Sequence, residues 1–239
     1  MSKRPRNRLQ LAEAWRGIRA LIDNPDDTSQ VFRIIRALSG NAFERSFLRF
    51  EATPTGARIL AEKRSLVDRL NDREYLLSLP DGSLGRVYAE FTEREQISPA
   101  GLVDASNEGS DVEVEDCPRR ILFGERLRDM HDLWHVVTGY GRDLMGEASL
   151  LAFTYRQTRN RGIGFIVLVA YLRAGSEFPQ QRALIRGGLR RSKKAAWLPG
   201  ADWEALLEEP LDDVRRTLRI RPVGEYESVR SEGAPALAA

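Results

Sequence analysis

The sequence predicts an all-α fold, built as a single helical domain of roughly 8 to 11 helices. Three observations carry that prediction. Apolar residues recur at three- and four-residue spacing along nearly every segment, helix caps and stops punctuate the segments, and period-two alternation is never sustained. The 239 residues, 42% of them apolar, suffice for one core, since single cores grow to about 250 residues before splitting.

The elements follow in order. Leu9, Leu11, Ala12, Trp15, Ile18, Leu21 and Ile22 share one helical face. Asp27 or Thr28 can cap a second helix carrying Val31, Ile34, Ile35 and Leu38, which Gly40 stops. Thr53-Pro54 reads as an N-cap with proline in the first turn, opening a stretch with Ile59, Leu60 and Leu66. Leu79-Pro80-Asp81-Gly82 is a turn, and Leu84, Val87, Tyr88 and Phe91 resume helical spacing beyond it. An irregular acidic loop is expected near 104–117: Asp104 to Asp116 holds six acids and no basic residue, with a short strand possible in pattern at Val112 and Val114. From Pro118 helical signals run to about Arg219, broken at Gly139–Gly141, near Gly162, at Gly175, at Pro199-Gly200 and at Pro210. The expected organisation is a flexible basic N-terminus (1–7), one all-helical domain (8–220) and a C-terminal tail (221–239) disordered at its end.

Charge and composition narrow the function. Lys plus Arg (37) nearly balances Asp plus Glu (35), a net charge of +2, where a dedicated nucleic-acid binder would carry a larger basic excess. One cysteine, Cys117, excludes an intrachain disulfide. No uncharged apolar run approaches the roughly 18–20 residues of a bilayer span. The longest, Gly162 to Leu172, is flanked by Arg161 and Arg173 and reads as a buried helix, or, with Leu150, Leu151 and Phe153, as the lining of an apolar groove. The basic N-terminus lacks the apolar region of a secretory signal. Only four of the basic residues are lysine, a bias of GC-rich bacterial genomes, which points to a cytoplasmic protein. Pro179 to Gly200 concentrates Arg182, Arg186, Arg190, Arg191, Lys193 and Lys194 without an acid. Arg182, Arg186 and Arg190 repeat every four residues, a face suited to an anionic membrane surface, a partner protein or plain solvation; no aromatics interleave as nucleic acid would require.

The chain has two histidines, and both lie in His131-Asp132-Leu133-Trp134-His135. At about 100° per residue they sit roughly 40° apart on one helix face, the spacing by which two histidines chelate a divalent metal. Asp132 stands at the edge of the same arc, able either to bind the metal or to hold a metal-bound water. Glu147 would lie ~18 Å from His135 on one unbroken helix. A helix break at Gly139–Gly141 is therefore expected, turning the next helix back so that Glu147 meets the His-Asp-His face. The plainer alternative is a set of polar residues on a solvated helix. The apolar neighbours Leu133, Val136, Val137, Leu150 and Leu151 argue against it, because carboxylates beside apolar helices need a cation or hydrogen bonds. Zinc fits two histidines with carboxylates best, and iron or manganese stay open.

His131-Asp132-x-x-His135, eleven residues, then Glu147 resembles the metal motif of the coenzyme Q (ubiquinone) biosynthesis protein 4 family. Further segments look like the same family: Asp26-Asp27-Thr28-Ser29 with Val31-Phe32, Leu84-Gly85-Arg86-x-Tyr88, Thr138-Gly139-Tyr140, Gly146-Glu147, and Asp202-Trp203-Glu204 through Pro210-Leu211 to Val214-Arg215. The resemblance covers roughly Arg8 to Ile220. It implies an all-helical homodimer, peripheral on the bacterial inner membrane (or on the matrix side of the mitochondrial inner membrane in a eukaryote). It also implies a Zn2+-type site at His131, Asp132, His135 and Glu147, these same residues being catalytic. The implied partners are a polyprenylated benzoate intermediate and the other ubiquinone biosynthesis proteins, with no nucleic acid. The implied role is C1 decarboxylation, coupled to hydroxylation, of a 4-hydroxy-3-methoxy-5-polyprenylbenzoate, together with organising the biosynthetic complex. Two alternatives remain: a non-catalytic prenyl-lipid scaffold with a structural metal, and a zincin-like hydrolase with Asp132 as general base. No flavin or nicotinamide motif is present, so an oxidant must be oxygen or come from a partner.

Overall fold

The computed structural model of the chain describes residues 9–98, 117–175, 178–231 and 237. Fourteen α-helices and one 3-10 turn occur among them, and no strand. The acidic loop expected at 104–117 (Cys117 apart), the basic 1–7 terminus and most of 232–239 lie outside the described residues. The helices are α1 (Leu11–Asp23), α2 (Thr28–Leu38), α3 (Ala42–Glu51), α4 (Pro54–Glu62), α5 (Leu66–Asn71), α6 (Arg73–Ser78), α7 (Leu84–Arg94), α8 (Pro118–Asp129), α9 (His131–Thr138), α10 (Leu144–Thr158), α11 (Arg161–Arg173), α12 (Pro179–Lys194), α13 (Trp203–Leu206) and α14 (Leu211–Thr217). They outnumber the sequence expectation because α5, α6, α13 and α14 are only 4–7 residues long, too short to show a period of their own.

Local chemistry sets most boundaries. Asp27 caps α2 by accepting from Ser29 N, and Thr53 caps α4 by accepting from Gly56 N, with Pro54 in the first turn. Ser83 caps α7 after the Asp81-Gly82 turn. Asn160 caps α11 by accepting from Gly162 N and Ile163 N.

The helix α10 is central, lying against α12 on one side and α11 on another, while α2 bridges α11 to α1. The main core joins Leu84 and Tyr88 of α7, Leu133, Trp134 and Val137 of α9, Leu150 and Phe153 of α10, and Trp203 and Val214 nearer the end of the chain. Phe43, Phe47, Phe50 and Phe123 form a second cluster between α3 and α8. The buried Arg126 of α8 makes a two-pronged pair with Glu204 of α13, tying the C-terminal helices to this layer.

Two surfaces differ from the apolar pattern. On α1 the buried arc is Ala14, Gly17 and Ile18, whereas Leu11 (69% exposed) and Trp15 (60%) open to solvent. A helix resting mainly on one neighbour, α2, buries a narrower arc than its apolar residues span. On α11, Ile163, Ile166 and Val167 are buried, as a core helix requires, and Leu168 and Leu172 stay exposed. Leu150 and Phe153 are fully buried in the main core, leaving them no surface for a groove, and Leu151 packs partly buried against α1, α2 and α11. Among the described residues no helix is long and apolar enough to cross a membrane.

Candidate metal centre

Helices α8 and α9 are separated only by Met130, so His131 opens α9 at the start of its first turn. His131, Asp132 and His135 then fall on one side, with ligand-type atoms within 4.8 Å of one another. The imidazoles stand edge to face, 87° apart, with their Nε2 atoms 3.2 Å from each other. His135 and Asp132 are buried, and His131 is partly open. Phe91 of α7 stacks on the His135 ring at 5.9 Å and 22°, walling that side of the site with hydrocarbon.

The expected break is present. Gly139 ends α9 in the left-handed region at φ 77°, a conformation costly for a residue with a Cβ. Asp143 restarts the chain as the N-cap of α10, accepting from Met145 N (3.1 Å) and Gly146 N (3.2 Å). The turn brings Glu147 back onto the histidines. Its Oε1 lies 3.4 Å from His135 Nε2 and its Oε2 lies 3.6 Å from His131 Nε2. All four residues of the expected ligand set are therefore drawn to one place, Glu147 through both imidazoles. Arg142, which the sequence reading passed over, reaches the same carboxylate, with Nε 3.5 Å from Oε1.

The donor chemistry suits a cation. His135 Nδ1 is 2.9 Å from the carbonyl of Tyr140, and a carbonyl only accepts, so the hydrogen-bond pattern assigns the proton to Nδ1. That leaves the Nε2 lone pair of the neutral ring facing His131 and the carboxylates, the tautomer a metal-ligating histidine adopts. In a cation's place only a proton can reconcile these groups. Burial opposes a charge on His135, but Glu147, and then Asp132, overcome it and raise its pKa. Burial likewise pushes Glu147 up, and the two histidines overcome that push and hold it well below the usual carboxylate range. A metal would replace that proton with a stronger version of the same attraction. Two nitrogens and two carboxylates form a mixed N/O set that accommodates zinc, iron or manganese.

Further residues complete the surroundings. The Tyr88 hydroxyl is buried with no hydrogen-bond partner among the described residues, and burial followed by the charges of Asp132 and Asp129 raises its pKa. Asp143 and Tyr226 lock the turn between the ligand helices, with Tyr226 donating to Asp143 Oδ2 at 2.6 Å. Farther off, the basic face of α12 is less free than its spacing implies. Arg182 turns inward to donate to the Tyr171 and Leu172 carbonyls at the C-terminal end of α11, where a cation is favoured. Arg186 donates to the Tyr171 hydroxyl but stays exposed, as does Arg190.

Residues 5–224 match the family described as Coenzyme Q (ubiquinone) biosynthesis protein Coq4. The chain belongs to the Coq4 family. Among its relatives, the mitochondrial ubiquinone biosynthesis protein coq-4 of Neurospora crassa is 30% identical over 182 residues, covering 74% of this chain and 49% of that protein. The mitochondrial Coq4 protein of Aspergillus clavatus is also 30% identical over 182 residues, with 74% and 60% covered. The chain thus spans about half to three fifths of the length of these relatives. A crystal structure of a protein from Nostoc punctiforme superposes with a TM-score of 0.65 at 20% identity, over 88% of this chain and 98% of that one. That likeness bears on the all-helical Coq4 fold. The matched span includes all four residues of the site.

Proposed function

We propose that this Coq4-family chain acts in ubiquinone biosynthesis as a metal-dependent carboxy-lyase. It removes the C1 carboxylate of a 4-hydroxy-3-methoxy-5-polyprenylbenzoate, hydroxylates that carbon, and helps organise the biosynthetic complex at a membrane surface. The observation that carries the reading is the convergence of His131, Asp132, His135 and Glu147 behind Phe91. In the net reaction the bond from ring C1 to the carboxyl carbon breaks, carbon dioxide leaves, and a C1–OH bond forms. With water supplying the hydroxyl oxygen, this is a two-electron oxidation that releases two protons, the electrons passing to dioxygen, which leaves as hydrogen peroxide, or to an oxidant held by a partner.

A divalent cation held by these four residues would supply Lewis acidity toward the hard oxygen donors of the ring. The protein's share is positioning and protons. Tyr140 O holds the His135 ring in one tautomer, and Phe91 excludes water from its face. Asp132 or Glu147, where either is released, accepts or returns the proton of the ring hydroxyl. Arg142 offers a cation beside Glu147 for an anionic substrate group.

Asp132 grouped with both histidines, and Glu147 3.4 and 3.6 Å from their Nε2 atoms, favour a four-residue set over the hydrolase reading, which needs a free general base and an open position. The scaffold reading is separated by experiment. Purified protein is expected to contain a divalent metal and to release carbon dioxide from the prenylated methoxybenzoate in air, and His135→Ala is expected to lose both. Bound metal with turnover indifferent to His135→Ala would leave the scaffold alone.

A further inference from the structure

Among the described residues the segment after α14 contains no helix, yet from Pro222 to Ser231 it runs across the turn that joins the two ligand-bearing helices. Val223 N donates to Thr138 O at the end of α9 (2.8 Å), and Val229 O accepts from Leu144 N at the start of α10 (2.8 Å). Between these clamps Tyr226 enters the turn. Its hydroxyl donates to Asp143 Oδ2 at 2.6 Å and accepts from Gly141 N at 2.9 Å, while Val229 N donates to Asp143 Oδ1 at 3.3 Å. Farther along, Arg230 pairs with Glu95 at 3.0 Å, anchoring the end of the strap beyond α7.

Asp143 is the residue on which these bonds meet. One of its oxygens caps α10 and the other is fixed by Tyr226, so the direction in which α10 leaves the turn, and with it Glu147 one turn later, is set from the strap. The fit is close. A Cβ at Gly146 would stand 2.6 Å from the Tyr226 hydroxyl and well inside contact distance of the Gly141 carbonyl, so only glycine lets the hydroxyl reach the turn. The phenol is partly buried: burial, then the bond to Asp143, raises its pKa, keeping it a neutral donor. A segment needed only for solubility would not direct a partly buried hydroxyl at a capping carboxylate.

We propose that Tyr226 is a positioning residue for the metal centre, holding Glu147 at its distance from His131 and His135 through Asp143. The inference depends on the reading of those residues as metal ligands. Outer groups that orient a ligand typically alter metal affinity by about 10- to 100-fold.

The test uses the full-length chain stripped of metal and titrated with Co2+, whose visible absorption reports both affinity and coordination. Tyr226→Phe is expected to weaken Co2+ binding about tenfold and to change the absorption of the bound ion. Asp143→Asn, which keeps a capping oxygen but presents an amide to the tyrosine, is expected to do the same. Loss of the hydroxyl should also lower the melting temperature of the metal-free protein by about 2–4 °C, so stability is measured separately and affinity is referred to the folded fraction. Equal affinity and an identical spectrum in both variants, or a loss wholly accounted for by a smaller folded fraction, would overturn the positioning role while leaving the metal centre intact. A wild-type chain that takes up no Co2+ would instead remove the metal reading, and the proposal with it.

Discussion

At the residue scale, Glu147 is the group with the most competing partners, since two imidazoles and the Arg142 guanidinium all face it. Arg142 repels any dication bound beside that carboxylate, and its partial exposure weakens the repulsion. Arg142→Gln should therefore tighten Co2+ binding by about two- to tenfold, measured by titration of the metal-free protein; unchanged or weaker binding would show that Arg142 serves to orient Glu147. Much of this site was legible in the residues. The two histidines stand one turn apart, and Gly139 and Gly141 announce the break that returns Glu147. Phe91, Arg142 and Tyr226 carried no such signal, because an aromatic or an arginine reads alike in a core, on a surface or beside a ligand.

At the element scale, the break after α9 and the bridge made by α2 are the features to test. Gly139 sits at φ 77° with Pro222 Cβ 3.4 Å from where its own Cβ would be. Gly139→Ala should destabilise the fold by about 1–2 kcal/mol, read as a lower urea midpoint with unchanged slope. Ile34 of α2 is fully buried between α1 and α11. Ile34→Ala should cost about 2–5 kcal/mol through lost transfer energy and a cavity, and a loss below 1 kcal/mol would mean that α1 and α2 are not docked as described. Helix starts were legible where a capping residue stands in the sequence, since Asp27 and Thr53 cap the helices that follow them. Which face of α1 is buried was not, because Leu11 and Trp15 fit the same period as Ile18 and only the position of α2 chooses among them.

At the scale of the whole molecule, residues distant in sequence close the fold through ion pairs. Asp202 receives hydrogen bonds from Arg64 (2.9 and 3.1 Å) and Arg58 (2.7 Å), joining the α4–α5 region to the entry of α13. Burial pushes its pKa up, but the arginines, Arg64 foremost, overcome this and hold it below 3.8. A depressed carboxylate pKa stabilises the folded state above the unfolded value and loses that effect as pH falls through the folded one. Asp202→Asn should thus cost about 1–3 kcal/mol at pH 7, and the gap from wild type should narrow as pH falls below the unfolded value and close as it passes through the depressed folded one. Denaturation curves at pH 7, 5 and 3 measure it, and a gap independent of pH would assign the loss to packing.

By itself the sequence determined the all-α class, the major helix starts, the break at Gly139–Gly141 and the four residues that meet beyond it. Each of those depends on interactions within about one helical turn, or on a chain reversal that glycine permits. Only the tertiary structure decided that Phe91 walls His135, that Arg182 turns inward to the end of α11, and that Tyr226 reaches Asp143 from 83 residues away. A contact across that separation leaves no period in the sequence, since it exists only once packing has brought the two segments together.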